Sequence, residues 1–175
     1  MDIAYFWSTT LTHKSVSWRP LTLLSSVGLG RLLYHDFVDL SWFCEYLTEL
    51  GTRTENYMQT QARRALVGNI GAYAAAHTSL DDINVINGRL VITAKGLERK
   101  CEGLIHNLFE VLDGVRFDES ARLQDLLAQS RVDVEASITD RGHQLAMLGA
   151  ARGLSAVSRL DDLWEGPSNI TFVQE

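Results

Sequence analysis

Twice between Ile70 and Gly96 the chain abandons the helical period that governs it on either side. Ile70-Gly71-Ala72-Tyr73-Ala74-Ala75-Ala76-His77-Thr78 is small and partly alternating. Gly88-Arg89-Leu90-Val91-Ile92-Thr93-Ala94-Lys95-Gly96 alternates and carries the β-branched residues that suit a pleated, half-buried surface. Asp81-Asp82 and Asn87-Gly88 lie between them, and Asn-Gly is a strong hairpin signal, with Asn84-Val85-Ile86 offering an early start to the second strand. The two stretches predict an antiparallel pair.

Helical runs flank that pair. Leu40, Phe43, Cys44, Leu47 and Leu50 recur at three- and four-residue steps from Val38, and Gly51 falls where a helix C′ residue belongs, so this helix is predicted to end in a glycine stop. Thr54 has the chemistry of an N-cap for a second helix across a very short turn, with Tyr57, Met58, Gln61, Ala62, Ala65 and Leu66 forming its stripe up to Gly68. Beyond the strands, Leu97 to Leu112 places Leu97, Cys101, Leu104, Ile105, Leu108 and Leu112 on one side. A long helix is predicted from Phe117 to about Thr139 through Leu123, Leu126, Leu127 and Val134, opened by Asp118-Glu119 at its positive end. A further helical run extends from Gly142 to near Gly153. Upstream, Ile3–Trp7, Ser15–Trp18 and Leu21–Leu24 make residues 1–36 β-rich. Helix, helix, strand, strand, helix, long helix is an α+β layout.

With 175 residues and 46% hydrophobic content the chain suffices for one domain with a sizeable core, which argues against disorder. A net charge of −6 with scattered arginines argues against nucleic-acid binding, which needs clustered cations on phosphates. Cys44 and Cys101 lie far apart with no C-x-x-C spacing, and read as two reduced thiols of an intracellular protein. No run of about 18 apolar residues is free of charge and turn signals, so no transmembrane helix and no membrane partner are expected. The apolar segment Pro20–Gly30 lacks the basic flank and small-residue cleavage site of a signal peptide.

The chemistry centres on Trp42-Phe43-Cys44-Glu45-Tyr46, which has the spacing of the inverted zinc motif H-x-x-E-H. In that motif two imidazoles one helical turn apart grip the metal and the Glu polarises its bound water. Trp42 and Tyr46 stand in the histidine places. An indole has no free lone pair for zinc, and a phenol with a pKa of ~10 is a poor ligand at neutral pH. Only Glu45 keeps its chemistry, and taken alone the pentapeptide reads first as an amphipathic core helix with one outward Glu.

From about Val38 to Ile170, roughly three quarters of the chain, the sequence resembles the pitrilysin/insulinase-type zinc peptidases, and in particular the C-terminal half of their presequence-protease branch. The residues that carry this are Phe43 to Thr52, Leu90 to Leu97, Val115-Arg116-Phe117-Asp118-Glu119, and Ile138-Thr139-Asp140-Arg141-Gly142-His143-Gln144-Leu145-Ala146-Met147. The resemblance implies an antiparallel sheet packed on one side by helices, the two-layer fold of the mitochondrial-processing-peptidase type, with its N-terminal part incomplete or replaced. Residues 1–36 are the poorly matched β-rich segment, and residues 37–175 the degenerate peptidase-type domain. In active copies of the unit the motif helix is followed by an apolar turn ending in Gly-Thr, and Gly51-Thr52 supports the alignment.

The resemblance further implies a non-catalytic domain that helps enclose and bind a peptide substrate. Hydrolysis and its zinc then belong to a catalytic half in cis or in trans, and this chain binds no cofactor or metal. The alternative is a free-standing interaction or dimerisation module that retains only the fold, a homodimer included. An Arg and Tyr that the family's C-terminal half offers to substrate cannot be carried over, since no Tyr follows Tyr73. The chain stops well short of the family's length, so a fragment, an excised domain and a free-standing copy all stay open. A cytoplasmic location is expected, with the mitochondrial matrix or another organelle as the alternative.

Other polar residues carry less. His143 reads as a helix-start or interdomain packing residue, and His77 and His106 as ordinary strand and helix positions. Asp81-Asp82 lacks the alternating ligands of a calcium loop. Gly28-x-Gly30 lacks the third glycine of a dinucleotide site, and no G-x-S-x-G nucleophile motif is present.

Overall fold

The computed structural model describes residues 3–6, 20–28 and 37–174, the first two spans as strand backbone. β1 (Ile3–Phe6) and β2 (Pro20–Gly28) precede α1 (Leu40–Leu47) and α2 (Tyr57–Val67). β3 (Gly68–Thr78) and β4 (Ile86–Leu97) follow, then a 3-10 turn at Glu98–Lys100 leading into α3 (Cys101–Asp113). The chain closes with α4 (Ser120–Asp140), α5 (Gly142–Ala151), α6 (Ala156–Glu165) and α7 (Pro167–Gln174). The strands form one antiparallel sheet in the order β1-β2-β4-β3. The N-terminal strands thus join the predicted pair through β2, which runs along β4 from Pro20 opposite Leu97 to Gly28 opposite Arg89. The predicted strand at Ser15–Trp18 lies outside the described residues.

β3 and β4 pair without interruption from Gly68 opposite Gly96 to Thr78 opposite Ile86. This overturns the turn expected at Asn87-Gly88, because those residues sit inside the ladder opposite His77 and Ala76. The chain reverses over residues 79–85, where Ser79 N donates to Val85 O at 2.9 Å and Asp82 Oδ1 accepts from Asn84 N at 2.9 Å. Gly88 is small for a tertiary reason: a methyl group there would overlap the ring of buried Phe37.

One side of the sheet carries the core. Ile70, Ile92 and Ala94 pack with Leu47 of α1 and with Leu104, Leu108 and Val111 of α3. Phe37, Leu40, Cys44 and Leu160 form a second cluster, and Ala72 and Leu90 touch both. α1, α2, α3 and α6 all contact the sheet, giving the predicted α+β arrangement. Burying a leucine such as Leu104 or Leu160 contributes about 2 kcal/mol, more than a helix cap at about 1 kcal/mol. Packing therefore holds the eight-residue α1, which is too short to persist alone.

Three local expectations give way to tertiary contacts. α1 stops at Leu47 with Thr48 as its C-cap, and Gly51 is not the stop. Gly51 instead lies buried where an added methyl group would come within 2.6 Å of the Glu55 carbonyl oxygen and 2.8 Å of Glu119 Oε2. The N-cap of α2 is Asn56, in a capping box with Gln59, and not Thr54. The expected stripe of α2 also fails: Met58 and Leu66 are 66% and 71% exposed, while its buried residues are Thr60 and Arg64. The inner face of α2 is polar because its partners are polar. Arg64 Nη1 donates to Thr48 O at 2.6 Å, and Arg63 binds Glu55 Oε2 at 2.8 Å and also Asn107 and Glu110 of α3.

Asp118 and Glu119 lie ahead of the first turn of α4 and do not sit within it. Asp118 pairs with Arg116. Glu119 reaches back to accept from Gly51 N at 2.9 Å and Tyr57 N at 3.2 Å, pinning the loop between α1 and α2 to the start of α4. Two helices were not expected. α6 is capped by Ser155 Oγ, which accepts from Ser158 N, and α7 opens on Pro167, at a position where a missing N–H costs nothing.

Candidate functional site

The buried side of α1 is Leu40, Cys44 and Leu47, so the helical period turns Trp42, Glu45 and Tyr46 away from the core. Glu45 is exposed, Trp42 and Tyr46 half-buried. The two aromatic residues lie one turn apart with ring centroids 6.1 Å from each other and planes tilted by 42°. Facing them is α4, whose single buried residue, Ser130, donates Oγ to Glu45 Oε1 at 2.9 Å. The structure thus brings together the three residues singled out by the motif and adds a hydroxyl that sequence reasoning missed. A signal for it exists: Ser130 follows Leu126 and Leu127 by four and three residues, a polar residue set in the apolar stripe of α4.

Burial pushes the Tyr46 phenol above its usual range, the Ser130 hydroxyl counters this, and the Glu45 carboxylate adds to it. The Tyr46 hydroxyl is buried without a hydrogen-bond partner among the described residues. Behind it, burial pushes the Cys44 thiol up to about 12, so Cys44 stays protonated and inert as ligand or nucleophile.

Two cavities open beside α1 and share Trp42. A groove of about 620 Å³ is walled by Trp42 and Tyr46 of α1, Leu127 and Arg131 of α4 and Phe172 of α7. A smaller, polar cavity of about 210 Å³ is lined by Glu45, Ser130, Asp133, Arg141, Trp164 and Asn169. As a donor set for zinc the motif residues Trp42, Glu45 and Tyr46 offer one carboxylate, already accepting from Ser130, and no imidazole or thiolate. That does not fit an ion that takes nitrogen, sulfur and carboxylate ligands around a tetrahedron. Among the described residues no three His, Cys, Asp or Glu side chains converge on a common point.

Residues 27–175 match the family described as Peptidase M-16C associated, from the end of β2 through α7. The chain belongs to this peptidase-associated family. Three relatives of this family member carry the name "Presequence protease, mitochondrial". The protein of Xenopus tropicalis is 27% identical over 134 residues, 75% of this chain and 13% of that protein. That of Xenopus laevis is 25% identical over 175 residues, 99% of this chain and 16% of its own length. That of Danio rerio is 24% identical over 164 residues, 93% of this chain and 16% of its own length. The chain therefore spans 13 to 16% of the length of these curated relatives. The resemblance read from Val38 to Ile170 agrees with both comparisons.

The remaining singled-out residues of this peptidase-associated chain are dispersed. His143 is exposed in the first turn of α5. His77 is exposed on β3, close enough to Asp161 to favour that carboxylate's charged form, although burial and then Glu165 push Asp161 upward overall. His106 sits on α3 with Nε2 3.5 Å from Glu110 Oε1. Asp81 and Asp82 are exposed, and Asp82 closes a local turn. Gly28 ends β2, and Gly30 lies outside the described residues. No helix among the described residues is long and apolar enough to cross a membrane.

Proposed function

We propose that this chain is a structural domain of a zinc-dependent peptidase, which helps enclose and hold peptide substrates while another domain, in cis or in trans, carries the zinc and the hydrolysis. The observation that carries this reading is the aromatic pair Trp42–Tyr46, which brackets Glu45 in the two places where imidazoles would hold the metal. The carboxylate then has no metal-bound water to activate, and its bond to Ser130 makes it part of the α1–α4 scaffold. The adjoining groove of about 620 Å³ lies within the ~300–1,000 Å³ range of ligand pockets and is of a size for apolar side chains of a peptide. Family membership and the names of the relatives support the connection to a peptidase. The word "mitochondrial" in those names supports the matrix over the cytoplasm as the compartment.

A cleavage assay tests the reading. The chain is incubated with zinc and a set of fluorogenic peptides, beside its Glu45→Gln variant. The expected result is no turnover by either; turnover that disappears with Glu45→Gln would overturn it.

A second reading, a free-standing interaction or dimerisation module, is favoured by one observation. Phe43 and Phe117 stack 5.7 Å apart while 39% and 49% exposed, a partly solvated aromatic pair on the surface. Light scattering on the chain alone would support it by showing a stable dimer.

A further inference from the structure

Charge is divided unevenly between the two sides of this fold. The chain carries 22 acidic against 16 basic residues, yet no Asp or Glu lies on any of the four described strands. Apart from His77, the only ionisable cations there are Arg89 and Lys95, both on β4. Alternation sets their side: Leu90, Ile92 and Ala94 pack among the helices, so Arg89, Val91, Thr93 and Lys95 belong to the opposite face. There β3 places Tyr73, 50% exposed, opposite Val91, and Asn69 opposite Lys95. Arg89 and Lys95 are exposed and have no carboxylate partner among the described residues. This sets them apart, since Arg53, Arg63, Arg116, Arg122, Arg131 and Arg141 each lie 3.9 Å or less from a carboxylate oxygen. The core face of the sheet is thus backed by helices that carry acidic residues, and its other face bears two unneutralised cations.

Charge complementarity makes the partner of that face acidic, and spacing narrows it further. Arg89 and Lys95 stand six positions apart on one strand, about 20 Å at ~3.3 Å per residue, with Val91 and Thr93 between them. Two cations so far apart are not the continuous stripe that tracks a phosphate backbone. They match two carboxylates of an extended peptide, which advances at the same pitch as β4. The exposed residues of this face are largely polar, Asn69 and His77 among them, which suits a ligand that comes and goes better than a permanent subunit with its apolar interface. We infer that the helix-free face of the sheet holds an extended acidic peptide along β4, with one carboxylate at Arg89, another at Lys95, and small or apolar residues over Val91 and Tyr73. This face lies on the far side of the sheet from α1 and the groove of Trp42 and Tyr46. The inference rests on the peptide-holding reading and gives it a charge preference.

The test uses the full chain and three blocked, dye-labelled peptides of one Val/Thr/Ser host, with Glu, Gln or Lys at two positions six residues apart. Binding is followed by fluorescence anisotropy at low and at high salt. The Glu peptide is expected to bind about fivefold more tightly than the Gln peptide at low salt, as two exposed ion pairs allow, and to lose that advantage at high salt. Arg89→Gln with Lys95→Gln is expected to remove the preference and leave Gln-peptide binding unchanged, both side chains being exposed. Arg89→Glu with Lys95→Glu is expected to transfer the preference to the Lys peptide. Equal binding of the Glu and Gln peptides overturns the cationic face but leaves peptide holding intact. Failure of every peptide to bind overturns both. A Glu preference that persists in the variants places the contact elsewhere and overturns the inference. So does a dimer in sedimentation that the same variants dissociate, since a second copy then covers this face.

Discussion

Ser130 of α4 donates its hydroxyl to Glu45 of α1 at 2.9 Å, across 85 positions of sequence. The Glu45 carboxylate is thereby a cross-link between α1 and the long helix α4. Ser130→Ala is expected to lower unfolding stability by about 1 kcal/mol, because a neutral-to-charged hydrogen bond is lost beside an exposed carboxylate that water can serve. Urea unfolding measures this as a lower midpoint at unchanged slope.

Glu119 ties the loop between α1 and α2 to α4 through Gly51 N and Tyr57 N. Glu119→Ala leaves the amide of buried Gly51 unpaired and should cost about 2–3 kcal/mol, whereas Glu119→Gln, which keeps one acceptor oxygen, should cost less. Gly51→Ala should be destabilising too, since its methyl group meets backbone at Glu55 as well as the Glu119 carboxylate. Denaturant titration of the three variants orders them.

Gly88 and Phe37 occupy one volume between them. Gly88→Ala is expected to destabilise by about 1–3 kcal/mol through overlap with the Phe37 ring. Phe37→Leu should relieve part of that cost, so the double variant should be more stable than the sum of the two single effects. Additive costs in a double-mutant cycle would contradict the packing.

Legibility in the sequence followed the range of the interactions. β4, α1 and α3 announce themselves through a run of Val and Ile or through leucines at helical spacing, because each buries an apolar face in the core beside the sheet, while β3 shows only as a small, partly alternating stretch and α4 and α5 only by helical spacing. Gly51 and Gly88 misled because both are small to admit a neighbour distant in sequence, Glu119 in one case and Phe37 in the other. α2 misled because its inner face is Thr60 and Arg64, which no hydrophobic count selects. At the site, Trp42, Glu45 and Tyr46 were singled out by spacing together with the resemblance that Gly51-Thr52 supports. Ser130, Asp133 and Asn169 were not, since only the packing of α4 and α7 beside α1 brings them to Glu45.

Cys44 supplies a pH dependence. Burial pushes its thiol up to about 12 in the folded chain, from 9.0 for an unburied thiol. Between those values the unfolded chain has released the proton and the native chain still holds it, so stability is fully present below pH 9.0 and falls as pH rises toward 12. Cys44→Ala should flatten that alkaline loss. With a maleimide reagent at pH 8, the partly exposed Cys101 should label before Cys44, which should react only on unfolding.

Metal content tests the central claim, that Trp42 and Tyr46 leave Glu45 without an ion to work through. The chain, equilibrated with excess zinc and then dialysed, is analysed for zinc by mass spectrometry, and cobalt is substituted to report ligand geometry optically. Well under one zinc per chain and no tetrahedral cobalt bands are expected. One zinc per chain, lost on Glu45→Gln, would contradict it.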